Sequence, residues 1–422
     1  MKVLIIAPVP LDGHNIDCGG GVSFSYMAMI DMLRVKGHEV RWLSPWHNLE
    51  PMYLKMYPGF RDIRFSWKNR RKIRKEMQWA DRVLTPDSCA SYLILQLARE
   101  QRTPVILCNH TNCFKLVAAA LRKQRYGRVR SFLAKMFVFP IGVLKLRLMS
   151  RASSMFLVTT KSNQSFLQRL GVKVDGIFDN ITIKTRVFRE PDSLSEINKI
   201  RRDLLRDTGC QSIIMYAGRV ANEKRIPLLI KARPPRSLLL IVGDGPAAPE
   251  ITALSEAEGR VKFINRMVSQ QQLRKLYKAC DLAVSASDFE TLGMSVYEAW
   301  LCGKQSVVED CGGFRDQIRN ERYGSLVSFD RACEARQAIE DLLENPRPLA
   351  FKPALPLESS IEEYLQTAKP LPKLDVFSRG ILSLIDYVVL IFGSPKNPEH
   401  RGRGKAGRSM TVLRRAPKVA SN

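Results

Sequence analysis

Two groups of ionisable residues have spacings that chemistry could use. The first lies in "FETLGMSVYEAWLCG", Phe289 to Gly303, where Glu290 and Glu298 stand eight positions apart around Gly293. At ~100° per residue eight steps make two turns plus ~80°, so one continuous helix would not align the two carboxylates. The spacing instead puts Glu290 on a loop leading into a helix, with Gly293 letting the backbone approach something closely and Gly303 closing the last turn. The acids then flank a helix N-terminus, whose N–H groups and positive dipole end favour an anion, most naturally a phosphate. The second group is "AGRVANEKR", Ala217 to Arg225, directly after an apolar run. Arg219 and Lys224 sit there on a strand-to-helix connection, where two cations can neutralise a leaving diphosphate. Taken alone, an arginine and a lysine on a loop more often mark a solvated face; what shifts the reading is "FETLG" at the equivalent edge of the same lobe. A third feature is the turn Gly19, Gly20, Gly21, whose N–H groups can reach a pyrophosphate without Cβ interference. It is not G-x-G-x-x-G, and the following strand ends "RWLSP" with no acid for a dinucleotide ribose, which disfavours a nicotinamide enzyme. A tight turn without ligand is the other reading of those glycines.

For these groups to converge, the chain must supply sheets whose strands end beside one another. Val3 to Ala7 reads as a buried strand, "CGGGVSFSYMAMIDMLRVKG" as a glycine turn feeding an amphipathic helix, and "HEVRWLS" as the next strand. Further strands are expected at "DRVLTP", "PVILCNH" and "MFLVTT", giving an open, mainly parallel sheet. The pattern restarts at "SIIMYAGRV" and runs through "LLLIVGDGP", "VKFINR", "LAVSAS" and "QSVVEDCGG", a second doubly wound sheet. The polar segment "EPDSLSEINKIRRDLLRDTGC" marks the boundary near residue 190, with a cleft between two similar lobes. This division gives lobes at 1–190 and 191–355, then helices over 356–394 able to cross back to the first lobe. Residues 395–422 read as a basic, disordered tail. Both ionisable loops of the second lobe would follow strand carboxyl ends, where open α/β sheets bind ligands.

Bulk properties narrow the chemistry. The 422 residues with 45% hydrophobic content suffice for substantial cores and exclude a disordered chain. Lys and Arg number 67 against 41 acids, and the resulting charge of +26 favours an anionic partner. Nine cysteines without a C-x-x-C pair disfavour a disulfide framework or a zinc ribbon and fit a reducing compartment. No D-x-D occurs, so the acidic pair that would hold Mg²⁺ or Mn²⁺ against a diphosphate is missing, and no metal or other cofactor is expected. "MKVLIIAPVP" is too short for a signal peptide and reads as a strand. "MFVFPIGVL" and "GILSLIDYVVLIFG" fall short of the ~20 residues of a membrane span, so none is expected.

The glycine turn, "NHT" after a later strand, "GRVANEK", "VGDGP" and Glu290-x7-Glu298 with "CGG" beyond it together resemble the family-4 retaining glycosyltransferases of the GT-B fold, the glycosyl transferases group 1. The match covers roughly residues 1 to 345 in the same order. It implies two Rossmann-like domains facing a cleft, and transfer of a sugar from a nucleoside-diphosphate sugar with retention at the anomeric carbon. The resemblance further implies that Arg219 and Lys224 hold the donor diphosphate, that Glu290 binds hydroxyls of the donor sugar and that Glu298 binds the nucleotide ribose. Backbone N–H groups around Leu292, Gly293 and Met294 would complete the phosphate cradle, with Gly20 and Gly21 closing over it. His110 would sit across the cleft near the reacting sugar, and Asn265, Arg266 and Met267 would line the base pocket. Beside these stand plainer readings: His110 as a structural histidine, Glu298 as a solvated helix residue, Asp244 as a turn former. The chain departs from the family pattern in a short helix after Lys224, interrupted by Pro234 and Pro235, and in Lys304 and Gln305 where proline is usual.

The positive charge is concentrated. From Cys113 to Arg151 there are ten Lys or Arg and no acid, interleaved with apolar residues, and "RFSWKNRRKIRK" precedes that block. Such a pattern suits an anionic membrane surface, with Arg122, Lys123, Arg125, Arg128 and Arg130 facing it. A solvated basic face is the alternative, and nucleic acid is disfavoured because no nucleic-acid motif appears. The "ETLG" form leans toward the sulfolipid-synthase and phosphatidylinositol-mannosyltransferase-like branch. The expected protein is a cytoplasmic enzyme peripheral to a membrane, acting on a lipid or glycan acceptor. The competing expectation is a basic nucleic-acid or anionic-surface binding protein on a scaffold whose catalysis has lapsed.

Overall fold

The computed structural model describes residues 1–9, 21–54, 61–88, 90–110, 128–178, 187–318, 323–347, 349, 357–372, 380 and 393–394. Its first lobe is built on a six-stranded parallel sheet. The strands are β1 (Lys2–Ile6), β2 (Glu39–Leu43), β5 (Arg82–Pro86), β6 (Val105–Asn109), β7 (Met155–Val158) and β8 (Gly176–Ile177), in the order β2-β1-β5-β6-β7-β8. A second six-stranded parallel sheet comprises β9 (Ser212–Ala217), β10 (Ser237–Gly243), β11 (Val261–Asn265), β12 (Leu282–Ser285), β13 (Gln305–Glu309) and β14 (Gly324–Val327), in the order β11-β10-β9-β12-β13-β14. The chain thus winds outward from β9 to one edge, then returns to the other side at β12. That reversal is a topological switch point, and it leaves a crevice between the carboxyl ends of β9 and β12.

The strands are apolar runs because both faces are covered. Every residue of β10, SLLLIVG, is buried, as parallel sheets between helical layers require. One face of the first sheet packs on α1 (Gly21–Val35), through Tyr26, Met29, Ile30 and Leu33. The other carries α2 (Trp67–Trp79), α3 (Ser91–Gln101), α4 (Arg128–Ala152) and α5 (Lys161–Arg169). In the second lobe α6 (Leu194–Leu205), α9 (Gln270–Ala279), α10 (Met294–Leu301) and α11 (Gly312–Gln317) share one face. The opposite face carries α7 (Ile226–Ala232), α8 (Ala248–Ala257) and α12 (Ala332–Glu344). Each fully buried Leu, Ile or Phe in these layers contributes about 1.5–3 kcal/mol.

Three features differ from or add to the sequence reading. The polar segment taken as the boundary contains α6, an amphipathic helix of the second lobe. Arg201 on it donates to the Ala279 carbonyl at 3.0 Å and to Asp281 at 2.9 Å. Its apolar stripe was masked by the charged residues around it. A three-stranded antiparallel sheet, β3 (Pro51–Leu54), β4 (Arg61–Ile63) and β15 (Gly393–Ser394), joins strands far apart in sequence that no local pattern announced. Finally α13 (Leu357–Thr367) lies on the first lobe: Ile361, Leu365 and Ala368 belong to the cluster around β1 and α1. Glu362 pairs with Lys36 at 2.7 Å, and Arg82 Nε donates to the Leu365 carbonyl at 2.7 Å. The tail 395–422 lies outside the described residues.

Candidate active site

The site grows from the two loops that leave β9 and β12. Register pairing of Leu282 with Ile214 sets these strands side by side, so the loops after them are neighbours. The loop after β9 is fastened to the "VGDGP" loop after β10: Gly218 N–H donates to the Val242 carbonyl at 3.0 Å and Val220 N–H to the Asp244 carbonyl at 2.9 Å. The two backbones are so close that a Cβ on Gly243 would sit 1.9 Å from the Gly218 carbonyl oxygen, which explains the first glycine of that motif. Asp244 accepts from Gly245 N–H at 2.6 Å, a turn-forming contact. The Tyr216 hydroxyl donates to the Arg219 carbonyl at 2.9 Å. Burial, reinforced by the Glu290 and Glu223 carboxylates, raises its pKa and keeps it protonated.

Arg219 and Lys224 are both paired with carboxylates. The Arg219 guanidinium meets Glu223, and Lys224, on a 3₁₀ turn over Asn222–Lys224, meets Glu290 across 66 positions of sequence. Lys224 and Glu290 are each 19% exposed. The two loops are therefore in contact at their charged ends, with a half-buried cation within reach of an anion arriving from solvent.

The Glu290 loop is held from behind. Gly313 N–H donates to the Glu290 carbonyl at 2.8 Å, the Ser287 hydroxyl donates to the Phe289 carbonyl at 2.9 Å, and the Cys311 thiol to the Ser287 carbonyl at 3.2 Å. Gly293 occupies the N-cap of α10 with φ +68° and offers no side-chain acceptor to the helix. A Cβ there would come within 2.5 Å of the Phe314 ring. Gln317 donates to the carbonyls of Leu292 and Gly293. The N-terminus of α10, with Leu292, Gly293 and Met294 around it, is thus formed beside Glu290 and left uncapped by any side chain, which suits an anion.

Glu298, one turn into α10, is 4% exposed. The Tyr277 hydroxyl donates to its Oε2 at 3.4 Å and to the Ser295 carbonyl at 3.0 Å. The solvated-helix reading of Glu298 is therefore set aside: a buried carboxylate needs donors, and the Tyr277 hydroxyl is placed to share its proton with it. Asn265 ends β11, and Arg266 and Met267 follow it, all three exposed on the edge strand two positions from β9.

Across the cleft, His110 follows β6. Its Nε2 lies 3.2 Å from the Tyr26 hydroxyl, and its ring stands edge-on to Tyr26 and Phe178 at centroid distances of 5.3 and 5.7 Å. Burial pushes its pKa down to about 4, so the imidazole is neutral near pH 7. Asn109 beside it donates to Asp87 at 2.7 Å and accepts from Asn163 of α5 at 2.9 Å. The lobes touch here: Ser162 N–H, at the start of α5, donates to Asp316 of α11 at 2.8 Å, and its hydroxyl to the Gly312 carbonyl at 3.3 Å. One run of bonds therefore links the Glu290 loop, through α11 and α5, to the strand end carrying His110.

Of the other residues singled out in the sequence, Gly21 is the first residue of α1, and Arg128 and Arg130 lie in the first turn of α4. Gly20, Arg122, Lys123 and Arg125 lie outside the described residues. Sequence reasoning missed Glu223, Arg225, Ser162, Asn163 and Asp316. Only Glu223 and Arg225, on either side of Lys224, carried a local signal. A cavity of roughly 760 Å³ lined by Met1, Asp81, Arg82 and Pro104 lies at the opposite, amino edge of the first sheet and takes no part in this site. Cys108, Cys210, Cys280, Cys302, Cys311 and Cys333 are free thiols.

Residues 197–355, which contain both loops, match the family model for glycosyl transferases group 1. The chain carries a group 1 glycosyltransferase domain. Its two parallel-sheet lobes are those of the GT-B fold. The chain is 25% identical over 358 residues to an alpha-monoglucosyldiacylglycerol synthase of Acholeplasma laidlawii, covering 78% of this chain and 86% of that one. It is 24% identical over 205 residues to the alpha-D-kanosaminyltransferase of Streptomyces kanamyceticus, spanning 46% of this chain and about half, 52%, of that enzyme. Among solved structures it superposes on Anabaena HepE, crystallised with UDP and glucose, with a TM-score of 0.59 at 16% identity over 92% of this chain and 99% of that one. The sucrose-phosphate synthase of Thermosynechococcus elongatus gives 0.57 at 17% identity over 93% and 99%. At those identities the likeness speaks for the fold.

Proposed function

We propose that this glycosyltransferase moves a sugar from a nucleoside-diphosphate sugar, with retention at the anomeric carbon, to a lipid or glycan presented at a membrane surface. The observation that carries the reading is the contact of Lys224 with Glu290 at the switch point, beside the uncapped N-terminus of α10. When the sugar–phosphate bond breaks, negative charge grows on the diphosphate. Lys224, Arg219 and the α10 N–H groups are fixed donors for that charge and need no reorganisation as it develops. Lys224 would exchange Glu290 for phosphate oxygens, which frees the Glu290 carboxylate to accept hydroxyl protons of the sugar. Glu298, buried and bonded to Tyr277, suits a ribose diol in the same way. His110, a neutral imidazole, can bond a sugar hydroxyl without adding charge to the cleft.

Three supports bear on the finer points. HepE has been crystallised with UDP-glucose, which makes UDP-sugars the first donors to try. The monoglucosyldiacylglycerol synthase bears a lipid in its name. On the first lobe, α2 exposes Trp67 (81%) among Lys68, Arg71, Lys72 and Lys75, and α4 exposes Phe139, Ile141 and Leu144. Apolar side chains set among cations suit the surface of an anionic bilayer. No helix of the described residues is long and apolar enough to cross a membrane.

Metal independence is supported by the fixed cations at the diphosphate, and retention is what the resemblance to the family-4 enzymes implies, with the acceptor attacking on the face the diphosphate leaves. Turnover of a sugar-nucleotide panel should persist in excess EDTA, and NMR of the product should show the donor's anomeric configuration. Activity lost in EDTA and restored by Mn²⁺ would refute the metal-free site, and an inverted product would refute retention.

A further inference from the structure

Arg225 follows Lys224 directly and has φ +49°, the left-handed region that a side chain makes costly. It closes the 3₁₀ turn carrying Lys224, donating its N–H to the Asn222 carbonyl at 3.2 Å, and is also the N-cap of α7. A strained backbone persists only where its surroundings over-determine it, and here the side chain does so. Its Nε donates to the Ala286 carbonyl at 2.8 Å, one of its terminal nitrogens to Asp330 at 3.0 Å, and the other pairs with Glu309. Ala286 opens the loop bearing Glu290, Glu309 ends β13, and Asp330 follows β14. Glu309, 11% exposed, is in turn bonded by Phe329 N–H at 3.0 Å. One guanidinium thereby ties the Lys224 turn to the carboxyl ends of three successive strands.

We propose that Arg225 is a positioning residue for the donor diphosphate: it sets the offset between the Lys224 turn and the Glu290 loop, so that Lys224 stands where the β-phosphate arrives. The inference rests on the diphosphate reading of this site. A planar fork suits the role, because three acceptors in different directions are met by one rigid group, where a lysine would satisfy one or two. Among the described residues no hydrogen bond or ion pair joins the Arg225 side chain to the Lys224 ammonium or the Glu290 carboxylate, so its action is through the backbone of both loops.

The test separates positioning from stability. Whichever of UDP, ADP or GDP binds the wild-type protein most tightly is titrated calorimetrically beside its monophosphate, and the ratio of the two affinities isolates the β-phosphate. Arg225→Ala should lower the diphosphate's affinity about tenfold and leave the monophosphate unchanged. Arg225→Gly, which suits the left-handed backbone and removes the clamp, should melt at or above the temperature of Arg225→Ala yet lose the same tenfold. Glu309→Gln should reproduce the loss, and Arg225→Lys should recover part of it. A tenfold or larger loss in Lys224→Ala with none in Arg225→Gly would overturn the role of Arg225 and leave the site standing. If no diphosphate binds better than its monophosphate, or Lys224→Ala binds both as the wild type does, the diphosphate reading falls and this inference with it.

Discussion

At the scale of single residues, the site pairs Arg219 and Lys224 each with a carboxylate. Arg219 with Glu223 and Lys224 with Glu290 are local devices that prevent two positive groups from facing each other unscreened. The types and spacing of Arg219, Lys224, Glu290 and Glu298 were legible because they lie in short segments with glycine punctuation. Glu223's pairing and the burial of Glu298 were not, since both depend on what the rest of the lobe puts beside them. His110 gives a residue-scale prediction with a definite sign. Its pKa is about 4 in the fold and near ~6.5 in an unfolded chain. Between those values the unfolded state binds more protons, so stability falls as pH drops from ~6.5 toward 4. The full effect is about 3 kcal/mol at the most. Denaturant midpoints at pH 7.5 and pH 5 should therefore converge in His110→Gln relative to the wild type. An unchanged pH dependence would show that His110 takes up its proton equally in the folded and unfolded states, so that burial does not shift it.

At the scale of elements, the decisive fact is that β9 and β12 are adjacent although β10 and β11 come between them in sequence. Alternation of strand and helix announced the two sheets, and apolar runs such as "LLLIVG" marked strands buried on both faces. The strand order could be argued only from the fold class, and α6 was hidden because a helix with one apolar stripe among charges looks like a linker in composition. Contacts such as Arg201 to Ala279 show what makes it part of the lobe. The entrance to α10 is where element and site meet. Gly293→Ala would force a Cβ toward Phe314 at a positive φ, costing about 1–3 kcal/mol. We expect a lower melting temperature together with a weaker stabilising shift on adding a nucleoside diphosphate, because the N–H groups of α10 move with the cap. A lower melting temperature with the full ligand shift would mean that this helix end does not hold phosphate.

At the scale of the molecule, α13 returning to the first lobe and the Ser162–Asp316 contact between α5 and α11 connect the lobes at two places. A return of the C-terminal helices to the first lobe was open in the sequence, but its contacts, such as Lys36 with Glu362, and the Ser162–Asp316 bond were not, because each joins residues more than 150 positions apart. The charge of +26 was readable, and its placement on α2 gives it a direction. Ile73 and Met77 face the core while Lys68, Arg71, Lys72 and Lys75 face out beside Trp67. Each cation near an anionic bilayer is worth on the order of 1 kcal/mol. Replacing those four by Gln should release the protein from acidic vesicles in sedimentation while sparing its binding of nucleoside diphosphate. The same substitution of Arg122, Lys123, Arg125, Arg128 and Arg130 tests the cluster singled out by sequence. Wild-type protein that ignores acidic vesicles and binds duplex DNA with a steep salt slope would point to a nucleic-acid partner instead.

The central claim is that Lys224, at the meeting of the β9 and β12 loops, neutralises a departing nucleoside diphosphate. The measurement that tests it most directly is the rate of nucleoside-diphosphate release from the best sugar nucleotide, compared between wild type and a folded Lys224→Ala. Loss of one charge-assisted contact in the transition state should slow release by roughly 30- to 1000-fold, equivalent to about 2–4 kcal/mol. Release at the wild-type rate in Lys224→Ala, with its melting temperature unchanged, would contradict the claim.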